Sequence, residues 1–293
     1  MLGKDERNPQ IQPNGIGVKL SIIIPAHNEE QRIRPMLDSY LNYFIDRYQN
    51  EVEYLVIVNG SNDGTEHIIR EYVKKCGNIK MVVIHDRVGK GGALIRGFRE
   101  AQGELVGFVD ADGATPAEAF EDLVQNIGDA GCIIGSRWLP DSNVTHEQSL
   151  QRRIVSRLFN FLVRILFGVK IHDTQCGAKL CTKAAAEAAV PKISSHFWAF
   201  DVDLLFHIHR AGFSVTEHPT TWRDIDGSKI RIWNSSFEML LAIFRLRLYY
   251  SPFRFIVHLV DKMGARHLYD KRIMQGRLIQ QQQQAIQGKN PKE

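Results

Sequence analysis

The sequence is poor in cysteine. Four occur in 293 residues, at 76, 132, 176 and 181, and none forms a CxxC pair. This excludes a disulfide scaffold or a cysteine-rich zinc cluster as the organising element, and fits a reducing compartment. Long apolar runs are missing too. The best candidate, 154–169, is interrupted by Arg157 and Arg164, so a spanning helix is not expected. The opening stretch MLGKDERNPQIQPNG holds no apolar core, so no secretory leader is expected. Neither sign of charge dominates: 37 Lys+Arg stand against 33 Asp+Glu, a net +4, too little to argue for nucleic acid. Internal repeats are also absent. A composition 44% apolar and 24% charged is that of a soluble globular protein, long enough for one large domain or two small ones.

What is present is a rhythm of short apolar runs. VKLSIIIP (18–25), YLVIVNG (54–60), KMVVIH (80–85) and ELVGFVDAD (104–112) are continuous and rich in branched residues. Such runs suit strands buried on both faces. Between them the apolar spacing is helical, over 30–48, 65–75 and 91–101. The alternation predicts an α/β fold, a Rossmann-like, mostly parallel sheet flanked by helices and wound by right-handed crossovers. A fifth strand is expected at 131–137 and an edge strand at 214–219, with helices at 149–169 and 200–211. C-terminal amphipathic helices are expected within 234–275, since 245–277 carries eight Lys/Arg against two Asp. The chain thus divides into a loose lead-in (1–17), an α/β domain (18–233), a basic helical segment (234–275) and a Gln-rich tail (276–293).

In an open α/β sheet, ligands bind beyond the carboxyl ends of the strands. The four strand ends here carry PAHNEE (25–30), NGSNDGT (59–65), DRVGKGG (86–92) and DADGAT (110–115). Asp110 and Asp112, two residues apart past a buried strand, suit one hard cation such as Mg²⁺ or Mn²⁺ bridging a diphosphate. Alone, the pair equally fits a turn in which Asp110 caps the next helix. GKGGA (89–93) is not GxGxxG, because Leu94 takes the last glycine position, nor a P-loop, because Gly91 follows Lys90. Its backbone N–H groups suit phosphate oxygens at a helix start, or simply a tight strand-to-helix turn. The eleven histidines suggest no ligand set; His207 and His209 are two apart on an expected helix and cannot face one metal.

Taken in order, IIIPAHNEE, NGSNDGT, GKGGA, VDADGAT, GSR, HDTQCGAK, WAFDVDLL and DGSK cover about residues 18–250. They resemble the motifs of family 2 glycosyltransferases of the GT-A fold. DADGAT, DTQCGAK and WAFDVD resemble most the dolichyl-phosphate β-glucosyltransferases, beside the dolichyl-phosphate mannose synthases. The resemblance implies a nucleotide-sugar site of Pro25, Ala26, Asn28, Glu29, Asn59, Lys90, Gly91, Asp110, Ala111 and Asp112, with Mg²⁺ or Mn²⁺ on Asp110 and Asp112. Two departures stand out: Asn59 replaces the aspartate that reads the base edge, and Ala114 replaces a Gln that the mannosyl branch adds as a ligand. The resemblance also implies an acceptor-phosphate site of Arg137, Arg152, Ser156, Arg223, Ser228 and Lys229, with His172 where mannosyl relatives place an arginine. Asp110, Asp112, Arg137 and Asp201 are implied as catalytic. Asp201 equally fits orienting sugar hydroxyls or capping the helix that follows.

The implied reaction is inverting transfer of a hexose, from UDP-glucose first and GDP-mannose second, to a polyprenyl (dolichyl) phosphate. A phosphate monoester is already anionic and attacks the anomeric carbon without a general base. The alternatives are attack by a saccharide hydroxyl, which needs a base, and a non-catalytic nucleotide-sugar-binding subunit. The QxxRW element of processive enzymes is absent. A lipid acceptor implies a peripheral position on the cytoplasmic face of a membrane. Phe237, Leu240, Leu241, Phe244 and Leu248, beside Arg245 and Arg247, would make the contact. Packing on the α/β domain, a homodimer contact, or a small partner that supplies the anchor are the other uses of that segment. Trp198, Trp222 and Trp233 are expected in packing, and Cys176 and Cys181 as small buried side chains.

Overall fold

The computed structural model describes residues 17–145, 150–195, 197, 199–223 and 232–262, apart from the side chains at 150, 152, 232–237, 258 and 260–262. The four N-terminal apolar runs become β1 (Leu20–Ala26), β2 (Val52–Asn59), β3 (Ile79–Ile84) and β4 (Leu105–Phe108). They pair in parallel, Leu20 of β1 lying level with Val52 and with Leu105. Alternate side chains enter opposite cores, Ile23 one and Ile22 and Ile24 the other. Helices α1 (Ile33–Tyr48), α2 (Thr65–Lys75) and α4 (Ala117–Asn126) close the second core. The first is closed by α3 (Gly89–Glu100), α5 (Leu150–Phe167), α6 (Lys183–Ala189), α7 (Phe200–Arg210) and α8 (Ile232–Tyr249). Gly97 lets α3 lie flat on the sheet, for a β-carbon there would overlap the side chain of Ile23.

The remaining strands are β5 (Cys132–Ser136), β6 (Asn143–Thr145), β7 (Lys179–Thr182), β8 (Val215–Pro219) and β9 (Thr221–Arg223). The main sheet runs β3-β2-β1-β4-β7-β5-β8, with β8 at the edge as expected. β7 is antiparallel to both β4 and β5. That reversal brings the segment entering β7 to the edge where β1, β2, β4 and β5 end. β6 and β9 make a separate parallel ladder. The Arg223 N–H donates to the Ala114 carbonyl at 2.8 Å, hooking this ladder to the DADGAT loop.

Several boundaries differ from the sequence expectation. The fourth run stops pairing early: the Val109 N–H makes the last bond, to Ile23, and Asp110–Asp112 stand beyond the strand. The sequence expectation lacked α4, although Phe120, Leu123 and Val124 recur at helical spacing, and α6, β6, β7 and β9, which carry no usable signal. β7 (KLCT) and the three-residue β6 and β9 are too short for a period, and α6 (KAAAEAA) has no apolar periodicity. The 234–260 stretch is two helices, because Pro252 follows the end of α8 before α9 (Arg254–Lys262) begins.

One contact ties the second core to the future site. Tyr40 of α1 is buried, stacks 5.9 Å from Phe44, and donates its hydroxyl to the Thr115 carbonyl at 3.0 Å. Tyr40→Phe keeps the ring and strands that carbonyl, so urea unfolding should show a loss of about 1–2 kcal/mol. Wild-type stability in the variant would mean that the DADGAT loop is held by other contacts.

Candidate active site

A cavity of about 240 Å³ opens at the carboxyl ends of the parallel strands. Pro25 and Ala26 line it from the end of β1, Asn59 from β2, Lys90 from α3, and Asp110, Ala111 and Asp112 from the turn after β4. Glu29 lines it too, as do His27, Arg87 and Gly89, three residues the sequence reading passed over. Gly89 adopts a φ of +79°, which allows the chain to turn straight into α3. Asn28 and Gly91, expected at the nucleotide, are not among the lining residues. Asn28 instead clamps two loops: its Oδ1 accepts from the Asn62 N–H at 2.9 Å and its own N–H donates to Ser61 Oγ. The Oδ1 of Asn59 accepts from the Val88 N–H at 2.9 Å, so its acceptor oxygen is already engaged in shaping the third loop.

The charges in this cavity are unbalanced. Glu29 and Asp112 crowd against Asp110. Burial lifts the Glu29 carboxyl to about 7; Arg32, 2.7 Å away, does not offset burial together with the two aspartates. Burial and Asp110 also raise Asp112 above the usual carboxylate range, although its Oδ1 accepts from the Ala114 N–H at 3.0 Å. Lys90 lies 2.5 Å from Asp110; burial pulls its ammonium down, and Asp110, Asp201 and Asp112 outweigh that, leaving it above the ordinary lysine value. Such a site lacks positive charge and gains by taking a divalent cation. Among the described residues no three His, Cys, Asp or Glu side chains converge as a ligand set. Two carboxylates nevertheless suffice for Mg²⁺ or Mn²⁺ when diphosphate oxygens and water complete the shell. Asp110 and Asp112 fit that role.

The reversed β7 delivers the second half of the site. Gly177, just before it, packs so closely on Asp110 that a β-carbon would overlap the carboxylate. Asp173, fully buried, accepts from Arg137 Nε at 2.7 Å, Arg137 Nη2 at 2.9 Å and the Arg137 N–H at 3.0 Å. Burial alone would raise Asp173; Arg137 and Lys179 outweigh it and hold the carboxyl below its usual value. The Arg137 guanidinium lies 5.3 Å over the Trp222 ring. Glu217 on β8 accepts the His172 N–H at 2.8 Å and the Asp173 N–H at 2.9 Å, and meets His172 Nδ1 at 2.7 Å. His172 thus supports the segment that carries Asp173.

Asp201 lies in the first turn of α7, but Ala199 holds the N-cap position, which corrects the capping alternative. Its Oδ1 instead accepts from Lys179 Nζ at 2.5 Å, and Lys179 also donates to the Cys176 carbonyl. The Phe108 ring sits 5.2 Å from Lys179 Nζ and 5.6 Å from Lys90 Nζ, between the two ion pairs. Cys176 and Cys181 are buried as expected. Trp222 is buried, whereas Trp198 and the Trp233 side chain lie outside the described residues. Ser228 and Lys229 and the Arg152 side chain also lie outside them. Ser156 offers its carbonyl to Asn160 within α5, and Arg223 is exposed on β9. The HDTQCGAK motif holds Asp173 and Lys179, but nothing in the sequence joined them to Arg137, Glu217 or Asp201, because these contacts link residues 22 to 45 positions apart.

Residues 21–189 match the domain of Glycosyl transferase family 2. Dolichyl-phosphate beta-glucosyltransferase of Dictyostelium discoideum is 34% identical over 245 residues, covering 80% of this chain and 75% of the relative. The enzyme of the same name from Homo sapiens is 31% identical over 245 residues, covering 79% of this chain and 76% of its own. Among solved structures, glucosyl-3-phosphoglycerate synthase from Mycobacterium tuberculosis with uridine diphosphate superposes with a TM-score of 0.58 at 20% identity, covering 79% of each chain. The mannosyltransferase PcManGT from Pyrobaculum calidifontis, with GDP-Man and Mn²⁺, gives a TM-score of 0.58 at 18% identity, covering 84% of this chain and 68% of that one. At these identities the structures establish the fold, GT-A.

Two measurements test the charge arrangement. Asp173→Asn leaves the Arg137 guanidinium buried without its counter-ion and should cost about 3–5 kcal/mol in urea unfolding. The double replacement Arg137→Met/Asp173→Leu should recover most of that, and equal losses in both variants would contradict the pairing. Glu29 holds a proton when folded that the unfolded chain has released, since its carboxyl stands near 7 against 4.5. Metal-free protein should therefore lose up to about 3 kcal/mol of stability as pH rises from about 4.5 to 7. Glu29→Gln should flatten that slope, and an unchanged slope would assign it elsewhere.

Proposed function

This chain belongs to glycosyl transferase family 2, and from that premise we propose that it moves glucose from UDP-glucose to a dolichyl-type polyprenyl phosphate, inverting the anomeric carbon. The curated relatives that carry the dolichyl-phosphate glucosyltransferase name support the acceptor and sugar. The observation that carries the reading is the pairing of Asp201 with a buried lysine. A saccharide hydroxyl needs a carboxylate free to take its proton. Asp201 is engaged by Lys179, and the raised carboxyls of Glu29 and Asp112 face the donor cavity. A phosphate monoester needs no such base.

The acceptor oxygen attacks the anomeric carbon as the bond to the nucleoside diphosphate breaks, turning an α-linked donor into a β-linked product. A divalent cation on Asp110 and Asp112 would neutralise the departing diphosphate when bound. The chain's own part is positioning and charge. Lys90 and Arg87 line the donor cavity as cations, and Gly177 fixes Asp110 by close approach. Arg137, rigidly held by Asp173, stands near enough to Asp110 to feel its charge.

We propose that the protein works while lying on a membrane. Among the described residues no helix is long and apolar enough to cross one. Twelve of the fourteen exposed large apolar side chains among them lie on α5, α8, α9 and the turn between the last two. α8 packs on both α5 and α9. Arg245, Arg247 and Arg254 flank these apolar side chains with the charge that anionic lipid attracts.

Purified protein with Mg²⁺ or Mn²⁺ and a short polyprenyl phosphate should give a β-glucosyl lipid phosphate from UDP-glucose, little product from GDP-mannose, and none in Asp112→Ala. Transfer to a free saccharide instead, with the lipid phosphate inert, would overturn the proposal.

A further inference from the structure

Four hydrogen-bond donors converge on a carboxylate that the catalytic chemistry does not use. Asp203, fully buried in the first turn of α7, accepts on one oxygen from the Ser194 N–H at 2.8 Å, the Ser195 N–H at 2.9 Å and the Ser194 hydroxyl at 3.2 Å. The Tyr250 hydroxyl donates to the other oxygen at 2.8 Å. The one ion-pair neighbour of Asp203 among the described residues is His207, whose Nε2 lies 3.3 Å away without the alignment of a hydrogen bond. A buried anion held by neutral donors depends on each of them. Asp201 stands two residues earlier, about 200° round the same helix, where it meets Lys179. The first turn of α7 therefore carries two carboxylates on opposite sides. One joins the active-site edge; the other joins Ser194, Ser195 and Tyr250.

Tyr250 follows α8 directly, its N–H still bonded to the Leu246 carbonyl at 3.2 Å. Its ring lies edge to face with His207 at 4.9 Å and stands 5.3 Å from Phe206. Its hydroxyl also lies 3.1 Å from the Lys192 carbonyl and 3.1 Å from Ser194 Oγ. One proton faces three acceptors, and the carboxylate is both the nearest and the only charged one. Burial and the Asp203 charge push the phenol well above its ordinary value, so it stays a donor at neutral pH. Its neighbours face outward: Leu248, Tyr249, Phe253, Phe255, Ile256 and Leu259 are exposed. They belong to the surface proposed to meet lipid. Tyr250 thus ties the turn that carries them to the first turn of α7.

We propose, resting on the membrane reading above, that Tyr250 is a positioning residue that couples membrane contact to turnover. Lipid that takes up Phe253, Phe255 and Leu259 holds the turn where the Tyr250 hydroxyl reaches Asp203. Asp203 then holds the Ser194 and Ser195 N–H groups and the start of α7, and the start of α7 holds Asp201 against Lys179 at the active-site edge. In water the same apolar side chains gain nothing from this placement, and the contact opens more often. The membrane therefore acts as a ligand that favours the closed arrangement. Turnover is slow in solution and fast at the surface where a lipid phosphate is found.

The test uses the full chain, as wild type and as Tyr250→Phe, with and without vesicles of phosphatidylcholine and phosphatidylglycerol. Flotation with the vesicles reads membrane binding, which both forms should show alike. Amide exchange across 192–200, read by mass spectrometry, should slow about tenfold or more at Ser194 and Ser195 when wild type binds vesicles, and change little in Tyr250→Phe. With saturating geranyl phosphate, a water-soluble acceptor, vesicles should raise the wild-type kcat several-fold at constant donor KM. The kcat of the variant should stay near its vesicle-free value. A merely structural role for Tyr250 would lower the rates with and without vesicles in proportion and keep their ratio at the wild-type value. Wild type that binds vesicles with unchanged exchange would overturn the coupling and leave the membrane reading standing. Equal stimulation of both forms would overturn it too. Wild type that fails to float with the vesicles would refute the membrane reading and the coupling with it. Exchange slowed in wild type alone, without glucose transfer to any acceptor, would support the coupling while refuting the proposed reaction.

Discussion

The buried pairing of Arg137 with Asp173 organises the site. Three hydrogen bonds converge on one fully buried carboxylate, two from the guanidinium and one from the Arg137 backbone. Neither partner tolerates burial alone, so each fixes the other. Arg137 follows β5 and Asp173 precedes β7, so the pair sets the register in which the antiparallel strand enters an otherwise parallel sheet. That register places Gly177 against Asp110 and Lys179 beneath Asp201. The position of Asp110 and that of the buried lysine therefore depend on one ion pair.

Around Phe108 the charges alternate. Asp110 pairs with Lys90 on one side and Asp201 with Lys179 on the other, both ammonium groups lying within 6 Å of the ring. Aromatic faces accept cations, and the ring holds both ammonium groups near one another, so that Asp201 also acts on Lys90. The arrangement holds Asp201 as an engaged anion and leaves Asp112 and Glu29 short of positive charge. Chemistry that relies on orientation and on stabilising a departing diphosphate suits such a site better than chemistry that relies on a base.

The surface follows the same division of labour. α5 is core on one side, where Phe159, Val163 and Phe167 are buried, and apolar stripe on the other. Arg153, Arg157 and Arg164 lie on the helix between these faces. A single helix therefore connects the core of the sheet and the surface proposed to meet lipid.

Much of the donor side was legible in the sequence because it is local. PAHNEE, GKGGA and DADGAT each follow a strand that its apolar run announces, and parallel strands put all such ends on one edge. Eight of the cavity-lining residues are among those that the family resemblance implied, and they lie on the loops of that edge. The two-residue motif Asp110-Ala-Asp112 needed no tertiary information to suggest a cation. The half of the site that β7 delivers was not legible in this way. Asp173 meets Arg137 across 36 positions and Lys179 meets Asp201 across 22, and the strand that joins them is four residues long with a lysine at its head. A reversal of that kind leaves no period to read. It arises because burying β7 between β4 and β5 satisfies both neighbouring ladders at once, a gain that exists only after the whole sheet has formed. The sequence by itself determined the longer apolar strands, most of the helices between them and the loops at their ends; tertiary packing decided the short reversed strand and which charges are paired, and so which remain open to a ligand.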